Sequence, residues 1–362
     1  MIHISDIIDA IPAGFIHLVA QGTIKSRHRK RSIVRMSNPF RFLFLMVCFS
    51  VMAGFSPCRA EPFKVGLLTP GPVSDKGWNA GAYEGLMAIK EKFKAHVSHV
   101  QVKSPAEHEE HFRSYADEGY NLVFGHGFEF QDAARRVGRD FPGTFFITTS
   151  GNTVAENVGA MVFELEQATY LLGLMAGKMT RSKVVGLVGG MEIPSVESTF
   201  IAFEAGAKSG CPDCRVLRTY TGSWEDSALA REATLAQISQ GADFIFHNAN
   251  EAGPGVFQAV SESQSKGVYA FGSNKNQNDE APDVILASAV IDLPAAFVQI
   301  AEQVYNKTYK AGVTRFGLRS GVISMVVNPK LQSKIPADAA HLIEETKSKI
   351  MNGSLEVPRG NF

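Results

Sequence analysis

FKVGLLTPGPVSDKGWNAGAYEGLMAIKEKF, residues 63–93, contains one complete building unit of this chain. Phe63 to Thr69 is a short apolar run without alternation, the pattern of a strand covered on both faces. Pro70 to Gly77 breaks it with turn residues, and Asn79 to Phe93 then spaces its apolar residues as a helix does. The same strand–loop–helix unit recurs. Strand-like runs follow at 97–103, 121–125 and 144–149, and a second series at 184–189, 216–221, 243–248 and 268–272. Helical patterns separate them at 107–118, 130–140, 168–179, 196–208, 227–240 and 255–266.

Alternating βαβ units imply parallel sheets with helices on both faces. Eight strands are enough for one closed barrel, but the two series of four resemble each other. Residues 157–163 lie between the series as an added strand or crossover. Further strand-like runs at 284–291 and within 314–327, with helices at 294–306 and 338–351, complete the chain. The expected architecture is α/β, with two doubly wound parallel-sheet lobes joined by crossovers. The N-terminal lobe is expected at 61–163 plus 288–318, and the C-terminal lobe at 164–287 plus 319–362. Hinge crossovers are expected near 157–163, 287–293 and 317–322.

Length and charge agree with this plan. The 362 residues suffice for two ordinary domains, and 36 basic residues balance 36 acidic ones. That balance gives no global field for nucleic acid or an anionic membrane. The first sixty residues read differently. From Met36 the text is MSNPFRFLFLMVCFSVMAGFSPCRA, with Arg41 before an apolar run and Ala60 at a small-residue cleavage point. This is the pattern of a secretory signal, so Met36 is the expected start and the periplasm the expected compartment. Residues 1–35 are then an upstream stretch; a long extension before a signal anchor is the rival reading. Cys58 offers an alternative lipid attachment, although Pro57 fits that poorly.

After cleavage after Ala60, only Cys211-Pro-Asp-Cys214 retains cysteine. A lone CxxC fits a redox pair, half a zinc site or a short disulfide, and an oxidising compartment favours the disulfide.

In open parallel sheets ligands bind beyond the carboxyl ends of the strands. Unusual residues collect in those loops, and both tryptophans of the chain, Trp78 and Trp224, fall there, one in each half. An aromatic from each lobe fits a flat ligand gripped on closure. Asp75 fits either a ligand contact or a helix cap. Ser223, Asp226 and His247 do not make a credible hydrolase triad, because no GxSxG elbow accompanies them. No catalytic residues, metal ligands or cofactors are therefore expected.

These loops resemble the basic membrane protein family of ABC-transporter binding proteins, over roughly Phe63 to Val327. The motifs are Asp75-x-Gly-Trp78-Asn79, Gly125-x-Gly-Phe128, Tyr170-Leu-Leu-Gly173, Gly189-Gly-Met191-Glu-Ile-Pro194, Tyr220-Thr-Gly-Ser-Trp224 and 242–255. The resemblance implies a type I periplasmic binding fold, a purine nucleoside or related ligand, and an ABC permease as partner. It places Trp78 and Trp224 on the base, with Asp75, Asn79, Asn250, Glu251 and Gly253 near the base and sugar edges. Phe128 and Met191 join them as walls.

The chain departs from the family at Asn274, where an Asp usually holds the ribose, and at Ile291, where a Lys is frequent. A bare nucleobase is thereby as serious a candidate as a nucleoside. A sensory subunit for a membrane receptor, and less readily a periplasmic enzyme, are the competing functions.

Overall fold

The computed structural model describes residues 61–361. The expected signal sequence, the expected start at Met36 and the alternative lipid attachment at Cys58 lie outside them.

Nine helices and twelve strands alternate among the described residues. In the first half are β1 (Lys64–Thr69), α1 (Trp78–Phe93), β2 (His96–Gln101), α2 (His108–Asp117), β3 (Leu122–Gly125), α3 (Gln131–Gly138), β4 (Phe145–Thr149) and β5 (Val158–Phe163). The second half runs through α4 (Glu166–Met179), β6 (Val184–Gly189), α5 (Pro194–Gly210), β7 (Arg215–Tyr220), α6 (Ser227–Ser239), β8 (Phe244–Asn248), α7 (Gly253–Glu262), β9 (Tyr269–Asn274) and β10 (Ile285–Ile291). Then come α8 (Leu293–Tyr305), β11 (Val313–Phe316), β12 (Ile323–Val327) and α9 (Ala337–Asn352).

The strands form two six-stranded sheets, ordered β11-β5-β4-β3-β1-β2 and β12-β10-β9-β8-β6-β7. Every pairing is parallel except β10 with β12. Each sheet reverses its strand order once, beside β1 in the first and beside β6 in the second. That reversal opens a crevice at the carboxyl edge. The central strands are buried throughout, as in Leu122–Gly125 and Phe244–Asn248. Their near-continuous apolar text is what two covered faces require.

The chain passes between the sheets at three places, and these refine the expected boundaries. β5 is wholly a strand of the first sheet, so the first passage is Glu164-Leu165. β10 pairs with β9 and β12 through Ile291, so a boundary at residue 288 cuts a strand of the second sheet; the passage is Asp292. Asp292 interrupts the apolar text there and caps the helix that follows, its carboxylate accepting from Ala295 N–H at 3.0 Å. Gly317–Val322 joins β11 to β12, as expected for a crossover. Backbone bonds tie the passages to one another: Glu164 N–H donates to Phe316 C=O (2.8 Å) and Asp292 N–H to Val322 C=O (2.7 Å). Leu318 N–H donates to Gln167 Oε1 at 2.8 Å.

Helix packing follows the same division. α1 lies against α8, and α4 lies against α5 and α9. Cys211 and Cys214 form a disulfide just after α5, closing a short turn into β7. No helix among the described residues is long and apolar enough to cross a membrane.

Candidate functional site

The loop after β1 is organised by Asp75. Its buried carboxylate accepts from the backbone N–H groups of Gly77 (3.0 Å), Asn79 (2.8 Å) and Ala80 (2.8 Å). These are the otherwise unpaired donors of the first turn of α1. Asp75 does not line the cavity between the sheets, which corrects the ligand reading of that residue. It acts one step back, by fixing the helix end that presents Trp78 and Asn79.

Trp78 is held from behind. Its indole stacks on His126 with ring centroids 4.0 Å apart and meets the edge of Phe163 at 5.9 Å. His126 Nε2 donates to Trp78 C=O at 3.0 Å, leaving Nδ1 to accept from Thr149 Oγ1 at 3.2 Å. Burial pushes the His126 pKa down to about 3, and the bond to Trp78 only partly offsets this. The imidazole is thus a neutral structural ring and not a ligand-titrating group. His247 is likewise buried, donates from Nε2 to Gln277 Oε1 at 3.1 Å, and has its pKa pushed down to about 4.

Trp224 is set by the opposite sheet. A Cβ at Gly190 would come within 2.3 Å of the indole, so only glycine lets the ring lie on that turn. Ala252 N–H donates to Trp224 C=O at 2.8 Å, joining this loop to the one after β8. Gly253 is buried against the imidazole of His247 and does not reach the cavity, a second correction to the expected site. It lies in the loop behind the lining, where close packing leaves no room for a side chain.

The loops enclose a cavity of about 330 Å³, within the usual range for small-ligand sites. Trp78, Asn79, Phe128, Met191, Trp224, Asn250, Glu251 and Asn274 all line it. Phe128 and Met191 remain 40% and 39% exposed, which places these two apolar side chains at the mouth. The lining also includes Glu129, Ser150, Glu225 and Asn248, absent from the expected set, together with Ile291. Ser150 had a signal in the text, since Ser150-Gly151 directly follows a strand. Glu225 directly follows Trp224 and Asn248 is the last residue of β8, so both stand at carboxyl-edge segments that the sequence marks.

Several polar groups are prepared for a guest. Asn79 is 1% exposed, and its Oδ1 has no partner in the protein. Such an orphan acceptor is costly unless a ligand or water satisfies it. Asn274 Nδ2 donates to Asn248 Oδ1 at 3.4 Å, and Asn248 Nδ2 to Thr199 Oγ1 at 3.3 Å. Ser150, Asn250 and Asn274 all hold a left-handed backbone, at φ 59°, 52° and 66°. Three of the seven non-glycine residues with positive φ among the described residues thus line this cavity.

The two lobes touch across the cavity. Trp78 N–H donates to Asn250 Oδ1 at 3.2 Å. Lys76 pairs with Glu280 at 3.0 Å and Lys275 with Glu84 at 2.7 Å.

Comparison with known proteins agrees with this arrangement. The family model described as "ABC transporter substrate-binding protein PnrA-like" matches residues 63–360. The chain belongs to this family. Among its relatives is basic membrane protein A1 of Borrelia garinii subsp. bavariensis, 28% identical over 322 residues, covering 87% of this chain and 94% of that protein. A purine-binding protein of Brucella abortus is 28% identical over 310 residues, covering 84% of this chain and 85% of its own. A solved ABC-transporter solute-binding protein from Aeropyrum pernix K1 superposes with a TM-score of 0.76 at 21% identity, over 83% of this chain and 94% of that one. The fold of this substrate-binding family member is therefore the type I periplasmic one.

Proposed function

We propose that this protein is the extracytoplasmic binding subunit of an ABC importer, and that it captures a purine base or nucleoside between its lobes without transforming it. The observation that carries the reading is the placement of Trp78 and Trp224, from opposite sheets, on one cavity also lined by Asn79, Asn250 and Asn274. Two indoles supply flat apolar walls for an aromatic ring, and each stacking pair contributes about 0.5–1.5 kcal/mol beyond area burial. Burial of the ring and hydrogen bonds to Asn79, Asn250 and Asn274 supply orientation. The purine-binding relative supports this ligand class. With Asn274 and Ile291 on the lining, the site has no charged clamp for a sugar at those positions, so a base is held as readily as its nucleoside.

Titration calorimetry against bases and nucleosides tests the reading. A purine should bind at micromolar Kd or tighter, unchanged when recovered. Trp224→Ala should weaken it at least tenfold, about 1.4 kcal/mol, with the fold intact by circular dichroism. Absence of purine binding, or turnover of the bound purine, would overturn it.

A further inference from the structure

We infer that Thr199, a buried residue of α5 outside the cavity lining, is a positioning residue for the binding site: its hydroxyl fixes which way the side-chain amides of Asn248 and Asn274 face. The effect on a purine rests on the function proposed above; the orientation of the amides does not.

Asn248 and Asn274 are the last residues of β8 and β9, and both line the cavity although each is only 7% exposed. Thr199 has one hydroxyl proton, and it gives that proton to Val196 C=O at 2.6 Å. A threonine in a helix has few side-chain settings, and this bond to the preceding turn selects one of them. Only lone pairs of Thr199 Oγ1 are then left for Asn248. The end of Asn248 that meets Thr199 at 3.3 Å must therefore be its NH2. Asn248 Oδ1 is thereby turned to Asn274, and the end of Asn274 that meets it at 3.4 Å must again be NH2. Reversing Asn248 would set its oxygen against Thr199 Oγ1 and its NH2 against that of Asn274. Both contacts would lack a hydrogen bond, which is costly among buried polar groups.

The relay is anchored behind the cavity. Thr199 C=O accepts from Thr169 Oγ1 at 3.0 Å, which pins this turn of α5 to α4. Asn248 C=O accepts from Gly190 N–H at 3.1 Å. One buried hydroxyl thus sets two lining amides. Asn274 Oδ1 has no donor among the described residues and is not among the enclosed side-chain atoms without a partner, so a guest hydroxyl or N–H is what it can take.

Two substitutions separate the hydroxyl from the shape. Thr199→Val removes the O–H and keeps the branching; Thr199→Ser keeps the O–H. In the ligand-free protein, heteronuclear NMR should show the side-chain NH2 resonances of Asn274, which has no hydrogen bond to Thr199, shifted by the valine and held by the serine. In calorimetry with adenosine and adenine, the valine variant should bind at least about fivefold more weakly and the serine variant within about twofold of the parent. In an Asn248→Ala background, Thr199→Val should change affinity by less than about twofold, because the link is already cut. Unmoved Asn274 resonances, equal losses in the two variants, or an undiminished valine effect beside Asn248→Ala would overturn the inference. So would a lowered Tm with unchanged affinity, which is what a purely structural threonine gives. A parent that binds neither adenosine nor adenine would instead bring down the purine reading, and the ligand-free resonances would still decide the relay.

Discussion

At the scale of single residues, Asp75 shows how a position can matter to a site it does not line. Three backbone donors converge on its carboxylate, and the helix end so fixed presents both Trp78 and Asn79. Asp75→Ala should destabilise the protein by about 2–3 kcal/mol, the loss of a buried cap with several bonds, as read by urea unfolding. Ligand affinity should fall with it, because the first turn of α1 loses its anchor. The sequence made Asp75 eligible for both roles, since a short acid before a helix and beside a cleft reads the same either way; only the direction of the carboxylate decided. Glu166 makes a second case. It lies just past the first crossover with one carboxylate oxygen unpartnered. Burial is the main cause lifting its pKa from 4.5 to about 7, Glu164 adding to the rise and Arg359 and Arg315 opposing it. Between those values the folded protein keeps a proton that the unfolded chain releases, so this group costs stability as pH rises through the window. Glu166→Gln should match the parent near pH 4 and exceed it by about 2–3 kcal/mol at pH 8. Urea unfolding of both proteins at the two pH values would show it; equal stabilities at pH 8 would contradict it.

At the scale of elements, the contact between α4 and α5 explains a motif that the sequence displayed without a reason. A Cβ on Gly173 would sit 2.0 Å from the carbonyl oxygen of Phe203, and one on Gly206 would sit 2.1 Å from that of Tyr170. The two helix backbones touch there, and a methyl group at either position must push them apart. Gly173→Ala should destabilise by about 1–3 kcal/mol, the usual range for overpacking, measurable as a lowered Tm. The glycine was visible in Tyr170-Leu-Leu-Gly173, but its partner strip on α5 was not, because helix periodicity says which face is buried and not against what. The strands were the most legible elements, since burial on both faces leaves an apolar run bounded by turn residues. Which sheet each one joins was less so. β10 ends at Ile291, as the strand-like run 284–291 does, but the lobe boundary expected at residue 288 falls inside it, because apolar text marks a strand and not the sheet it joins.

At the scale of the whole molecule, closure is held by contacts between lobes that no single segment encodes. The pairs Lys76–Glu280 and Lys275–Glu84 join residues far apart in sequence across the cleft. Each is partly exposed, so each contributes at most about 1 kcal/mol and is screened by salt. Lys76→Ala combined with Lys275→Ala should therefore weaken ligand binding by about twofold to tenfold at low ionic strength. The difference from the parent should narrow at high salt; calorimetry across a salt series checks it. What the sequence determined was the alternation of strand and helix, the two-lobed plan, and a set of post-strand loops bearing both tryptophans. Those follow from local rules: the period of apolar residues, the placing of glycine and proline, and the tendency of parallel sheets to bind at their carboxyl edges. What only the tertiary structure decided was which loop residues turn inward. The Asp75 carboxylate turned to the protein and Gly253 packs behind the lining, while Glu129, Ser150 and Glu225 belong to the lining. The physical reason is that a loop side chain's direction is set by its backbone angles and by neighbours brought from distant segments, and neither is written in its immediate sequence.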